Sequence, residues 1–245
     1  MNAPPLPERS AAAQAGTAGT GPVRPRMPFV GALMYVLLFV GGLTGSTALA
    51  RTTYPSPFGG NADILDYFAH HRDAVLLQGV LQGVSAVGLL VLAAALADAA
   101  AGRSTDDRAV HPRLIAAAGG LGAAFQLLSA LLGWVAVRDT TQSSPALVRA
   151  LHDLSFVTGG PGAVIGVGVM IGATALALRG ALPGWIRPAG LVLCAVALAS
   201  LLCLATQSAA FLLPVGRFLG MAWLLVVTLL LGRVGRGPRS AGGGR

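Results

Sequence analysis

Six long apolar stretches, at 29–50, 74–97, 114–137, 156–178, 185–205 and 209–231, alternate with short connections that, together with the two tails, hold nearly all the charge of the chain. In helical form each stretch is long enough to cross a hydrocarbon layer of about 30 Å. A helix is also the one open structure that satisfies its own backbone where water is absent. The pattern therefore predicts an all-α fold: a polytopic transmembrane helix bundle of six spans. Composition agrees, since 54% of residues are hydrophobic and only 11% are charged, too few polar side chains to cover a water-facing surface. The bundle occupies 29–231. The flanks at 1–28 and 232–245 are rich in Ala, Pro, Gly and Arg without apolar periodicity, and are expected to be disordered tails.

The formal charge of +8 rests on arginine alone, because the chain has no lysine. Arg9, Arg24, Arg26, Arg103, Arg108, Arg113, Arg179, Arg187, Arg233, Arg236, Arg239 and Arg245 fall on one side of the expected topology, against Arg51, Arg72, Arg138 and Arg149 on the other. Arginine is retained on the cytoplasmic side, so both tails are expected in the cytoplasm of a cell whose plasma membrane the chain crosses. Basic residues spread over helix ends in this way do not make a nucleic-acid surface. The lipid bilayer is the one partner the pattern implies; a small-molecule ligand and an oligomeric state are not legible. Ala48-Leu49-Ala50 fits a small-x-small cleavage site, which would make the first stretch a signal peptide, but the apolar run is of full spanning length and the preceding polar segment is long.

The two longer connections on the arginine-poor side each begin with turn residues and end in a short amphipathic helix on the outer face. In one, Asn61 stands as a cap before Ile64, Leu65 and Phe68. In the other, Ser144 and Pro145 precede a stripe of Leu147, Leu151 and Leu154. His70, His71, His152 and Asp153 lie at the ends of these helices. Imidazoles and a carboxylate with one open position suit zinc, which would activate water for hydrolysis. Against this stand the lack of HExxH or CxxC spacing and the divergent directions of adjacent His70 and His71. The alternative places the histidines at headgroup level, with Asp73 and Asp153 solvated or paired with Arg72 and Arg149. No haem-type histidine pair faces the inside of the bundle, and no phosphate loop or nucleophile elbow is present, so no cofactor is expected.

Within the spans, Gln78, Gln82 and Ser85 recur at i, i+4 and i+7, one face of a helix that should point inward, and Gln126 with Ser129 forms a comparable pair. Such groups hold helices together in lipid or line a solute path. Arg217 is the one charge well inside a span. It either snorkels to the nearer interface or pairs with an outer carboxylate, Asp153, Asp139 or Asp66. His71, His152, Asp153 and Arg217 form a candidate polar cluster on the outer face. Glycines at 41 and 45, 79 and 83, 162 and 166, and 168 and 172 have the small-xxx-small spacing of close helix packing.

At Ala150-Leu151-His152-Asp153-Leu154-Ser155-Phe156, Gly180-Ala181-Leu182-Pro183-Gly184-Trp185 and Arg217-Phe218-Leu219-Gly220, the chain resembles bacterial six-span integral membrane proteins of a domain-of-unknown-function family, DUF4386-like. The resemblance implies a compact membrane domain and carries over no catalytic residue. Three functions are open: a non-enzymatic protein with a binding, sensing or structural role, which the missing catalytic set favours; a small-solute transporter; and a metal-dependent hydrolase using the outer histidines.

Overall fold

The computed structural model describes residues 27–103 and 110–234. The expected disordered tails lie outside these residues except at their inner edges, where helix α1 (Met27–Ala50) begins and α10 (Gly220–Val234) ends. Between them run α2 (Asn61–His70), α3 (Arg72–Ala101), α4 (Val110–Ala136), α5 (Asp139–Gln142), α6 (Pro145–Val157), α7 (Ala163–Ala177), α8 (Ile186–Ala199) and α9 (Leu212–Pro214). Every described element is helical. Among the described residues, six rods are long and apolar enough to cross a membrane: Met27–Ala50, Arg72–Ala101, His111–Ala136, Pro145–Ala177, Ile186–Leu204 and Gln207–Arg233. The protein is thus a six-span helical bundle. An even number of crossings returns the chain to the side on which it started. One face therefore carries α2, α5 and the start of α6, and the opposite face carries both ends of the bundle.

Successive spans pack side by side, and α10 closes the bundle by returning against α1 and α8. The outside of the bundle is apolar, with Leu37, Val80, Leu202 and Phe211 all more than half exposed, as lipid requires. Two crossings bring backbones into contact. Gly31 of α1 meets Gly88 of α3, where an added Cβ on Gly88 would lie 2.7 Å from the Tyr35 nitrogen. Gly122 of α4 meets Gly166 of α7. The glycines at 166, 168 and 172 all face neighbouring helices of the same chain, whereas Gly41 has nothing within 4 Å of its Cβ position.

The structure departs from the sequence reading in the fourth span. The amphipathic stretch before it is not a separate surface helix. It is the first half of a broken rod, in which α6 passes through a wider turn, Thr158–Gly162, into α7. Pro161 cannot donate to the helix and disfavours helical geometry in the residue before it. Gly160 accordingly sits at ψ −105°. Leu147 and Leu154 are exposed at 46% and 48%, while Val148 and His152 are buried. In a membrane Leu147 and Leu154 face lipid, while Leu151 packs against the loop-face cluster and His152 turns inward. The last span widens at Val215–Leu219, directly after Pro214, while Pro214 and Gly220 on either side keep helical dihedrals.

Apolar packing concentrates at two levels. Toward the terminal face, Tyr35, Leu92, Leu96, Ile115, Met170 and Leu224 belong to one large cluster. Beneath the opposite face, Ile64, Tyr67, Phe68, Val75 and Val148 form a smaller one. The candidate site lies between them.

Candidate functional site

The inward faces of α3 and α4 meet through hydrogen bonds. The Gln126 amide donates to the Gln82 carbonyl at 3.0 Å and to the Ser85 hydroxyl at 3.1 Å. Ser85 in turn donates to the Tyr35 carbonyl on α1 at 2.7 Å. Nearer the loop face, Ser46 donates to the Gln78 side chain at 2.9 Å, and Ser129 and Ser155 exchange hydrogen bonds between α4 and α6. Gln78, Gln82, Ser85 and Gln126, expected on one interior face, are therefore joined across three helices. Such bonds hold the helices in register and contribute about 0.6 kcal/mol each on average.

Above this network the bundle does not close. A cavity of about 270 Å³ is lined by Gln78, Gln82, Gln126, Ser129, Ser155, His152 and Arg217, with Phe39, Tyr54, Phe156 and Phe218 among its apolar walls. It reaches from the first loop, at Tyr54 and Pro57, down to Gln82. Gln82 lies ten residues into α3, about 15 Å along a helix and so roughly half-way across the hydrocarbon. Below that level the terminal-face cluster seals the bundle.

His152, at a helix end on the outer face, is 1% exposed and lines the cavity. Its ring lies 5.6 Å from that of Tyr54 and 5.5 Å from that of Phe68. Neither ring nitrogen has a hydrogen-bond partner, a costly arrangement for a buried polar group. The Tyr67 hydroxyl behind it is likewise unpartnered. Burial pushes the Tyr54 phenol up from its ordinary value, with the neighbouring Tyr67 adding to the shift, so the group stays protonated.

Arg217 neither snorkels nor finds a carboxylate. Its Nη2 donates to the Gly159 carbonyl, with the Gly160 carbonyl 3.3 Å away. Its guanidinium carbon lies 4.8 Å from the centre of the Phe39 ring. The acceptors come from the break in the fourth span, where carbonyls that an unbroken helix would engage are exposed at the negative end of α6. They answer the charge only in part. The two ion pairs among the described residues lie elsewhere: His70 with Asp66, and Arg149 with Asp153. No acidic side chain lines the cavity.

The outer polar cluster is thus only half assembled. His152 and Arg217 face one cavity, while Asp153 is held by Arg149 and His71 packs against the Tyr67 ring at 5.0 Å. Arg149 also donates to the Pro57 carbonyl at 2.7 Å and so fastens the first loop over α6. Among the described residues, no three His, Cys, Asp or Glu side chains are grouped to hold a metal ion. The zinc arrangement of His70, His71, His152 and Asp153 is not formed, because α2 directs His70 to Asp66 and α6 buries His152. The Gly159 and Gly160 carbonyls and the Tyr54 wall were missed by the sequence reading. The run Gly159-Gly160-Pro161-Gly162 was the available signal, a helix breaker inside an apolar stretch.

The balance at Arg217 makes a prediction. Placing an arginine in the apolar layer costs about 3 kcal/mol on insertion scales, and a charge-assisted hydrogen bond returns about 1.5–3 kcal/mol. Arg217→Met removes both, so stability should move by less than about 2 kcal/mol in a denaturant titration of the purified protein. A loss much beyond that would make Arg217 a structural clamp.

No family model matches the chain, and no curated protein or solved structure is detectably similar to it.

Proposed function

We propose that this multi-pass membrane protein sits in the plasma membrane with its loop face outward and both termini in the cytoplasm, and that it binds a small solute in the cavity without transforming it. Membership of the DUF4386-like family is part of the same proposal. The observation that carries the binding reading is a half-membrane-deep cavity sealed on its terminal side, whose wall includes a buried histidine with two unpartnered nitrogens and an arginine without a carboxylate. Buried polar groups without partners are costly in a purely structural protein. A ligand that engages them offsets that cost. A volume of about 270 Å³ lies at the small end of ligand pockets, whose usual range begins at about 300 Å³.

Gly133 lines the cavity, and a Cβ there makes only an ordinary contact of 3.6 Å with Val75. Gly133→Leu should fill the space at little cost to the fold. A thermal-shift screen of small metabolites on the purified protein is expected to yield compounds that stabilise the parent and not this variant. A screen without such compounds would contradict the reading.

One observation favours transport as a second reading. The kink at Gly160 and the wide turn after Pro214 face the same cavity, and discontinuous helices form the substrate sites of many transporters. Transport requires the terminal-face cluster to open. Accumulation of a stabilising compound inside proteoliposomes would establish it.

A further inference from the structure

We propose that the ligand of this cavity is an oxyanion, a carboxylate or phosphate, carried on a small apolar body, and that Arg217 receives its charge. The inference rests on the reading of the cavity as a binding site and adds the chemical class of what binds.

Among the described residues, Arg217 supplies the only formal charge on the cavity wall. A guanidinium presents five N–H donors in a planar fork. The Nη2 donor group is turned toward the Gly159 and Gly160 carbonyls, and among the described residues Nε and Nη1 have no protein acceptor, while the side chain lines the cavity. The negative end of a helix amounts to about half an elementary charge, so the carbonyls leave a net positive site. In a low-dielectric surrounding a positive centre without a counter-charge attracts an anion strongly and repels a cation. His152 is a second, independent indication: it is buried in the same wall with both nitrogens unpartnered, and an imidazole N–H can donate to a bound oxyanion. The rest of the wall combines neutral polar groups, Gln78, Gln82, Gln126, Ser129 and Ser155, with apolar and aromatic side chains, Phe39, Phe156, Leu213 and Phe218 among them, and the apolar part suits a hydrocarbon or aromatic body better than a bare inorganic ion.

Three probes of nearly the same shape test this: benzoate, benzyl alcohol and benzylammonium, each titrated against the melting temperature of the full chain in neutral detergent. Benzoate should stabilise at concentrations at least about tenfold below the other two, since a charge-assisted pair is worth that factor or more. Arg217→Gln should weaken the benzoate response by about tenfold or more and leave the benzyl alcohol response in place. Repeating the titration in phosphatidylcholine nanodiscs with and without phosphatidylglycerol separates two sources. Competition by the anionic lipid marks a headgroup as the natural occupant, and unchanged benzoate binding marks a free solute; either outcome supports the anion assignment. Equal or stronger stabilisation by the alcohol or the ammonium, or a benzoate response untouched by Arg217→Gln, overturns the assignment while leaving a cavity that binds. Silence from all three probes overturns the binding reading itself.

Discussion

Gly166→Leu is expected to disrupt the bundle, because a Cβ at this position would lie 2.5 Å from the Gly122 nitrogen and 2.8 Å from the Ala118 carbonyl oxygen. Backbone cannot rotate away as a side chain can, so α4 and α7 must separate. The Gly122 and Gly166 surfaces lose their contact, and the cavity floor, formed partly by α4 at Gln126, loses its support. Over-packing of a close-packed interior usually costs 1–3 kcal/mol, and a backbone-to-backbone clash belongs at or above the upper end, about 3 kcal/mol. The purified variant should melt several degrees lower or fail to give monodisperse protein. Gly41→Leu provides the contrast: nothing lies within 4 Å of its Cβ position, so the same substitution there should change stability by less than about 0.5 kcal/mol. If the two variants behave alike, the crossing of α4 and α7 described above is wrong.

The contrast between Gly41 and Gly166 also shows what a sequence conveys about a membrane bundle. Spacing alone marks both as members of small-xxx-small pairs. Only the relative rotation of the helices decides which of them meets a neighbour, and rotation is set by many weak packing contacts at once. The crossing of Gly31 with Gly88 was invisible for the same reason. The spans themselves were legible because hydrocarbon thickness imposes a length on every apolar run. The inward face of Gln78, Gln82 and Ser85 was legible because a polar stripe in lipid has one place to go.

His152 and Arg217 were recognised as unusual but assigned the wrong surroundings. On α6 the stripe of Leu147, Leu151 and Leu154 marks an amphipathic helix without saying what covers which face; in lipid Leu147 and Leu154 face outward, and His152 turns in. For Arg217 the search for a partner considered carboxylates, which can be read from the sequence. The acceptors are main-chain carbonyls at Gly159 and Gly160, exposed by a break whose direction depends on the fold. Backbone acceptors carry no sequence signature of their own; the glycine-proline run signals that some exist without saying what they will meet.

The central claim, a cavity open to the outside and ending about half-way through the membrane, is tested most directly at Gln82. Cys194 and Cys203 are both unpaired and are replaced by alanine in the background. Gln82→Cys or Leu224→Cys is then introduced, and intact cells are treated with a membrane-impermeant thiol reagent. Gln82 lines the floor of the cavity, whereas Leu224 is 0% exposed within the terminal-face cluster. The cysteine at position 82 should label from outside the cell, and the one at 224 should not. Position 82 remaining unlabelled until the membrane is dissolved, or labelling only from the cytoplasmic side, would contradict the account.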